Sequence, residues 1–297
     1  MKDKYIEIRT GSDSDISKIK EIYSILDHLE IPYSARILSA HRTPLKMIEE
    51  AQNLEENGFK VSVCAAGGSA HLAGMTASES SVPVVALPVK SSLGGEDALL
   101  SMAQMPPGIP NGTVGIGEAY NAGILATRIA YLDNHSIREK LSSTLDTKIK
   151  SELGKSPTIN IISSFPQERL APYINFAKTF GMGYSINDES ISPVAIYIDS
   201  VAEISKTIEG KTEQVSIIAP LEKEFNLCSL PDLIKGPYAW MGVNRVNNSI
   251  IYAAQILGIY FPEVKEKFKT YRKKLSDEVK TKDENLREKG VELFPSR

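Results

Sequence analysis

The sequence predicts an α/β protein, a parallel sheet covered by helices on both faces, in two tandem copies spanning residues 1–150 and 151–297. Three observations carry that expectation. Short apolar runs alternate with segments of helical period through the first half, as in chains where each strand is followed by a crossover helix. Residues 61–66 and 82–89 are apolar almost throughout, the pattern of strands buried on both faces. A similar frame of strands and helices then recurs in the second half.

The elements follow in order. Residues 5–10 read as a strand ending at Gly11-Ser12-Asp13-Ser14-Asp15, after which Ile16, Ile19, Ile22, Tyr23, Leu26 and Leu29 fall at helical spacing. A second strand, 33–38, closes on the polar turn Ser39-Ala40-His41-Arg42. Thr43-Pro44 then reads as an N-cap followed by a first-turn proline, opening a helix to about residue 56 that Asn57-Gly58 stops. Residues 112–116 form a fifth strand and 118–132 a helix. In the second half Thr158-Ile159-Asn160-Ile161-Ile162 matches the first strand, and Ser163-Ser164-Phe165-Pro166-Gln167 takes the place of residues 11–15. Asn248 to Leu257 parallels Asn121 to Ala130, and the spacing between matched segments narrows, so the second copy is shorter in its middle. The tail after Phe261 mixes charges of both signs and reads as an exposed, solvated helix.

Composition narrows the function. The 297 residues are 42% hydrophobic and 24% charged, with a net charge of −3, which argues against general nucleic-acid binding. No apolar run approaches the ~18–20 residues of a bilayer span, and the N-terminus lacks a signal-peptide core, so a cytoplasmic protein without membrane partners is expected. Two distant cysteines, Cys64 and Cys228, exclude a disulfide framework and a cysteine-based zinc site.

Ligands of open parallel sheets bind beyond the carboxyl ends of the strands, and the polar, glycine-rich segments of the first half fall there. Gly11 lets the backbone approach a ligand, and free N–H groups at a helix start attract anions, although a capped turn without a ligand reads the same. His41 is of the residue type that can both give and take a proton, and Arg42 beside it offers a donor fork suited to phosphate or carboxylate. Gly67-Gly68-Ser69-Ala70-His71-Leu72-Ala73-Gly74-Met75 is a loop of small residues around a second histidine, as close approach to a flat ligand requires. Ser91-Ser92-Leu93-Gly94-Gly95 and the proline-broken Met105-Pro106-Pro107-Gly108-Ile109-Pro110 complete the set. Cys64 reads as core, Trp240 as core or ligand platform, and His28 and His135 as surface residues.

Together, Gly-Ser-x-Ser-Asp, Ser-Ala-His-Arg-Thr-Pro and Gly-Gly-x-Ala-His-Leu-x-Gly-Met, with Gln104-Met105-Pro-x-Gly-Ile-Pro and Asn121-Ala122, resemble the PurE family. Its members are the N5-carboxyaminoimidazole ribonucleotide mutases and aminoimidazole ribonucleotide carboxylases of purine biosynthesis. The resemblance covers roughly residues 4–132 and points to the bacterial-type class. It implies a flavodoxin-like three-layer fold and an octamer whose sites draw on neighbouring subunits. The implied reaction moves a carboxylate from the exocyclic nitrogen of a ribonucleotide to a ring carbon, without cofactor, metal or ATP. By that resemblance Ser12, Asp15 and Arg42 hold the ribose-phosphate end, with Ser39 nearby. Gly11, Ala40, Gly67, Gly68, Ser69, Ala70 and Leu72 complete the substrate surface, and His41 is general acid and base, with His71 the second catalytic histidine. A sister class that uses carbon dioxide directly has lysine in place of Arg42 and lacks the Ala-His-Leu segment, so Arg42 and His71 favour the mutase. Ala73 stands where the family usually has proline, and residues 117–121 are shorter than the family's stretch.

The second copy keeps the apolar frame but none of these loops, so it is expected to be structural. Four such chains would then fill the eight positions of the family octamer as a homotetramer. The competing class is a receiver-like or nucleotide-sensing module. A receiver needs an aspartate at the end of the third strand, where this chain has Cys64-Ala65-Ala66-Gly67-Gly68.

Overall fold

The apolar runs form the centre of one ten-stranded sheet. The computed structural model describes residues 4–91, 93–188, 190–208, 213–223 and 235–290, so Ser92 and Cys228 lie outside the described residues. The strands are β1 (Ile6–Thr10), β2 (Tyr33–Ile37), β3 (Val61–Ala66), β4 (Val84–Pro88) and β5 (Gly112–Thr113), then β6 (Thr158–Ile162), β7 (Gly183–Ile186), β8 (Val194–Tyr197), β9 (Val215–Ile218) and β10 (Tyr238–Trp240). Their order across the sheet is β2-β1-β3-β4-β5-β10-β9-β8-β6-β7. Read inward from either edge, the connectivity is the same. Each set of five is parallel, and the two sets meet in one antiparallel pairing, Trp240 opposite Thr113. The carboxyl ends of the two sets therefore face opposite edges of the sheet.

Helices cover both faces: α1 (Lys20–His28), α2 (Pro44–Gln52), α3 (His71–Glu79), α4 (Glu96–Ala103) and α5 (Ala119–Ala130), then α6 (His135–Leu145), α7 (Gln167–Thr179), α8 (Val201–Ile208), α9 (Val246–Gly258) and α10 (Pro262–Lys289). The layering and strand order are those of a flavodoxin-like fold. Among the described residues no helix is long and apolar enough to cross a membrane.

The halves share a core. The final helix of each set reaches across the seam: Arg128 of α5 donates to the Gln214 carbonyl beside β9, while the Tyr252 hydroxyl of α9 donates to the Val84 carbonyl of β4 at 3.0 Å. Gly112 makes room for that tyrosine; a β-carbon there would lie 2.3 Å from the Tyr252 oxygen. Leu99 and Ala103 of α4 likewise pack with Ile218, Trp240 and Val243. Trp240 is fully buried, which settles its reading as core.

Four readings change. The segment after β1 is not one α-helix: Asp13–Ile19 is a 3-10 helix capped by Ser12, whose hydroxyl accepts from the Ser14 N–H, and Ile16 is exposed. Its serines and aspartates satisfy the backbone locally and so compete with α-helical bonding. The second helix ends at Gln52, and turns occupy the residues up to Gly58. Thr43 begins that helix without capping it, because its hydroxyl is exchanged with the Ser39 backbone at 3.1 Å. The fifth strand is only two residues long.

The charged tail is also more than solvated surface. Val264 and Phe268 of α10 are buried, Tyr271 packs edge-on to Phe176 and Phe180, and Lys265 and Lys269 bind Glu55 at 3.0 and 3.2 Å. Burial alone would raise the Glu55 carboxyl, but hydrogen bonds from Ser81, Lys265 and Lys269 overcome it and hold the group down to about 2. A depressed carboxyl stabilises the fold above its unfolded value of ~4.3 and loses that contribution as pH falls through the folded value. Between pH 4.5 and 2, Glu55→Gln is therefore expected to flatten the acid-unfolding curve followed by circular dichroism. An unchanged slope there would remove Glu55 from the account.

Candidate functional site

The carboxyl ends of β1, β2, β3 and β4 bring the sequence-selected loops to one edge of the sheet. Loop one, after β1, is Gly11 to Asp15. Loop two, after β2, runs from Ser39 to Thr43. Arg42 bridges them: its Nη2 donates to the Gly11 carbonyl at 2.9 Å, and its backbone N–H donates to Ser39 Oγ at 3.1 Å. Lys18, not singled out from sequence, ties loop one to the end of β4 by binding Asp15 at 3.3 Å and the Lys90 carbonyl at 3.2 Å.

Loop three follows β3 and is sterically demanding. A β-carbon on Gly67 would lie 3.0 Å from the Val89 carbonyl oxygen, so the chain passes too close to β4 for a larger residue. Gly68 and Ala70 both have left-handed backbones, with φ of +63° and +51°. For alanine that conformation costs on the order of 1 kcal/mol, and it turns the chain sharply into α3, whose first residue is His71. Ser101 of α4 holds this turn by donating to the Ser69 carbonyl at 2.9 Å.

The outcome is a histidine pair. His41 Nε2 lies 2.8 Å from His71 Nδ1, with the rings edge to face at 76° and their centres 5.0 Å apart. One nitrogen of that contact donates and the other accepts, the roles being set by the tautomer of each ring. Both side chains are exposed, as are Arg42 and Ser69, while Gly11, Ser12, Asp15, Ser39, Ala40, Gly67 and Gly68 are half-buried around them. Ala70 and Leu72 are buried, and the Leu72 side chain belongs to the core beneath α3. His135 stands apart, paired with Glu139 and Glu152, and His28 lies near Thr144. Cys64 is fully buried, and burial pushes its thiol up, so it offers no thiolate nucleophile.

The second half is built differently at its own carboxyl edge. Asp199 accepts from the Ser164 and Ser200 N–H groups at 2.6 and 2.8 Å, and Glu222 accepts from the Val201 N–H at the start of α8 at 2.6 Å. Backbone donors of the kind that attract an anionic ligand are here occupied by the chain's own carboxylates.

The structure thus defines the class: a flavodoxin-like sheet that brings a histidine pair and a backbone-tethered arginine together at its strand ends. Comparison narrows that class to a family. The family model described as AIR carboxylase matches residues 5–151. The N5-carboxyaminoimidazole ribonucleotide mutase of Haemophilus influenzae is 51% identical over 127 residues, which cover 42% of this chain and 77% of that protein. The phosphoribosylaminoimidazole carboxylase of Schizosaccharomyces pombe is 43% identical over 152 residues, 51% of this chain and 28% of that much longer one. Among solved structures, Treponema denticola PurE is similar at 31% identity and a TM-score of 0.44, covering 48% of this chain and 89% of that one. The chain belongs to the PurE (AIR carboxylase) family.

Proposed function

We propose that the first half is an N5-carboxyaminoimidazole ribonucleotide mutase of purine biosynthesis, forming 4-carboxy-5-aminoimidazole ribonucleotide, with catalysis confined to its histidine edge. The observation that carries this reading is the 2.8 Å His41–His71 contact beside the Arg42 bridge. Arg42, Ser12 and Asp15 bind the ribose-phosphate end. His41, protonated, gives its proton to the exocyclic nitrogen as the N–C bond of the carbamate breaks and carbon dioxide leaves. The ring carbon then attacks the trapped gas, and His41 takes the proton from that carbon, returning to its starting form. His71, bonded to the His41 ring, fixes which nitrogen carries the proton. A carbamate decarboxylates readily, so the protein's work is to confine the gas and move protons.

The alternative is direct carboxylation of the aminoimidazole ribonucleotide, the activity named for the fungal relative. Arg42 and His71 favour the mutase. The test compares steady-state kcat/KM for the N-carboxylated ribonucleotide with that for the uncarboxylated one plus bicarbonate. Higher efficiency with the first is expected; higher efficiency with the second would assign the chain to the carboxylases.

The second half serves as a structural partner, which the self-capped amides of Ser164, Ser200 and Val201 support. The assembly is a homotetramer shaped like the family octamer. A rim of exposed apolar side chains around the site supports it: Leu45 is 82% exposed, Leu93 70%, and Ile16 and Tyr120 37% each, all beside the loops at the strand ends. Clustered exposure of that kind marks an interaction surface. A soluble ribonucleotide substrate fits a cytoplasmic setting.

A further inference from the structure

The structure assigns Asn248 and Arg272, both in the second half, as positioning residues for His71, through two grips on the helix that carries it. The inference rests on the reading of His41 and His71 as the reacting pair.

The first grip is Asn248, on α9. It is 1% exposed and spends its whole amide on the first half: Oδ1 accepts from the Gly108 N–H at 2.9 Å, and Nδ2 donates to the Met105 and Pro106 carbonyls at 3.3 and 3.0 Å. The proline-broken segment 105–110 lacks regular backbone pairing, so a side chain must supply its partners. The Met105 thioether in turn presses on Gly74 of α3, with a position for a β-carbon only 3.1 Å from its sulfur. Through that side chain the segment abuts α3 one turn below His71.

The second grip is Arg272, on α10. Its guanidinium donates to the Ser78 and Ser80 carbonyls, the unpaired acceptors at the carboxyl end of α3. Partly buried and with both donors engaged, it ties that end of α3 to α10 and opposes a slide of the helix along its axis. The other end of α3 is held from within the first half, by the Ser101–Ser69 bond and the close pass of Gly67 to Val89, so the two ends of the helix are fixed from different halves. The His41–His71 bond has little tolerance, since N–H···N geometry weakens steeply with misalignment. The second half thus sets the alignment of a hydrogen-bonded histidine pair to which it contributes no atom.

The experiment uses the full-length chain with Asn248→Ala, Arg272→Met and Arg272→Lys, read against His41→Asn. Misplacement of a reacting group by about 1 Å costs up to ~10²-fold. Asn248→Ala and Arg272→Met are expected to lower kcat ~10–100-fold with KM within about twofold, and to displace the pH–rate profile of kcat. Arg272→Lys, which keeps a cation at the helix end, should recover most of the loss. A lowered melting temperature with kcat and pH profile unchanged would overturn the proposal, leaving both residues as structural. Arg272 lies outside the shared core, so its variants keep the test open if Asn248→Ala does not fold. If His41→Asn itself stays active, the fault lies with the histidine assignment; if only that variant is inactive, it lies with the positioning.

Discussion

Replacing His41 with asparagine is expected to lower turnover by ~10²–10⁴-fold while leaving ribonucleotide binding nearly intact. Asparagine occupies similar space and keeps a hydrogen-bonding end toward His71, but it neither holds nor releases a proton near neutral pH. His71 does not take over the task, because it is displaced from His41 by a full ring and starts the neighbouring helix. The groups proposed to bind the anion, Arg42 with Gly11 and Ser39, do not depend on the imidazole for their own contacts. Substrate-analogue affinity by calorimetry should therefore stay within a fewfold, at one site per chain. Turnover within threefold of the parent would end the assignment of His41 as the proton carrier.

The second large effect is expected from removing residues 151–297. The fragment 1–150 contains every candidate catalytic loop, yet it should show no cooperative unfolding transition and less than about 1% of the activity. Cutting there strips β10 from the edge of β5, Tyr252 from the cleft over Gly112, and Ile218, Trp240 and Val243 from Leu99 and Ala103. Each large apolar side chain returned to water costs ~1.5–3 kcal/mol, and a domain has only ~5–15 kcal/mol in all, so a few such exposures exhaust it. Arg128 also loses its bond to the Gln214 carbonyl. Light scattering of the full-length chain beside the fragment checks this. A full-length tetramer and a misassembled fragment are expected; a full-length octamer, or a folded and active fragment, would refute the scaffold role.

What the chain disclosed in advance follows from the range of the interactions. The central strands were legible because burial on both faces leaves a continuous apolar run in 61–66 and 194–198. The histidine loops were legible because small residues, a polar turn and a strand end lie side by side in sequence. The 3-10 segment was misread because Ile16 falls on the helical period by spacing alone, and its neighbours' side chains, not its own, decide the backbone. The seam was not legible. A two-residue β5 has no period, and Tyr252 and Asn248 meet partners more than a hundred residues away, which no local pattern reports. The one signal was the match of Asn248 to Leu257 with Asn121 to Ala130, which marks α9 as a counterpart of α5 without showing that each crosses to the other half.

The antiparallel joint between β5 and β10 has a further consequence. Two identical chains that meet edge to edge must present the same residues on both sides, so any change is made twice. Joined in one chain, the two sides are free to differ. Leu125 of α5 corresponds to Tyr252 of α9, but only the tyrosine demands a glycine opposite it; Arg128 corresponds to Gln255, and each finds a different carbonyl across the joint. The tether also holds the sides at an effective concentration in the millimolar range for a short link, so this contact forms at any dilution of the protein. In the proposed homotetramer, concentration then governs only the contacts between chains.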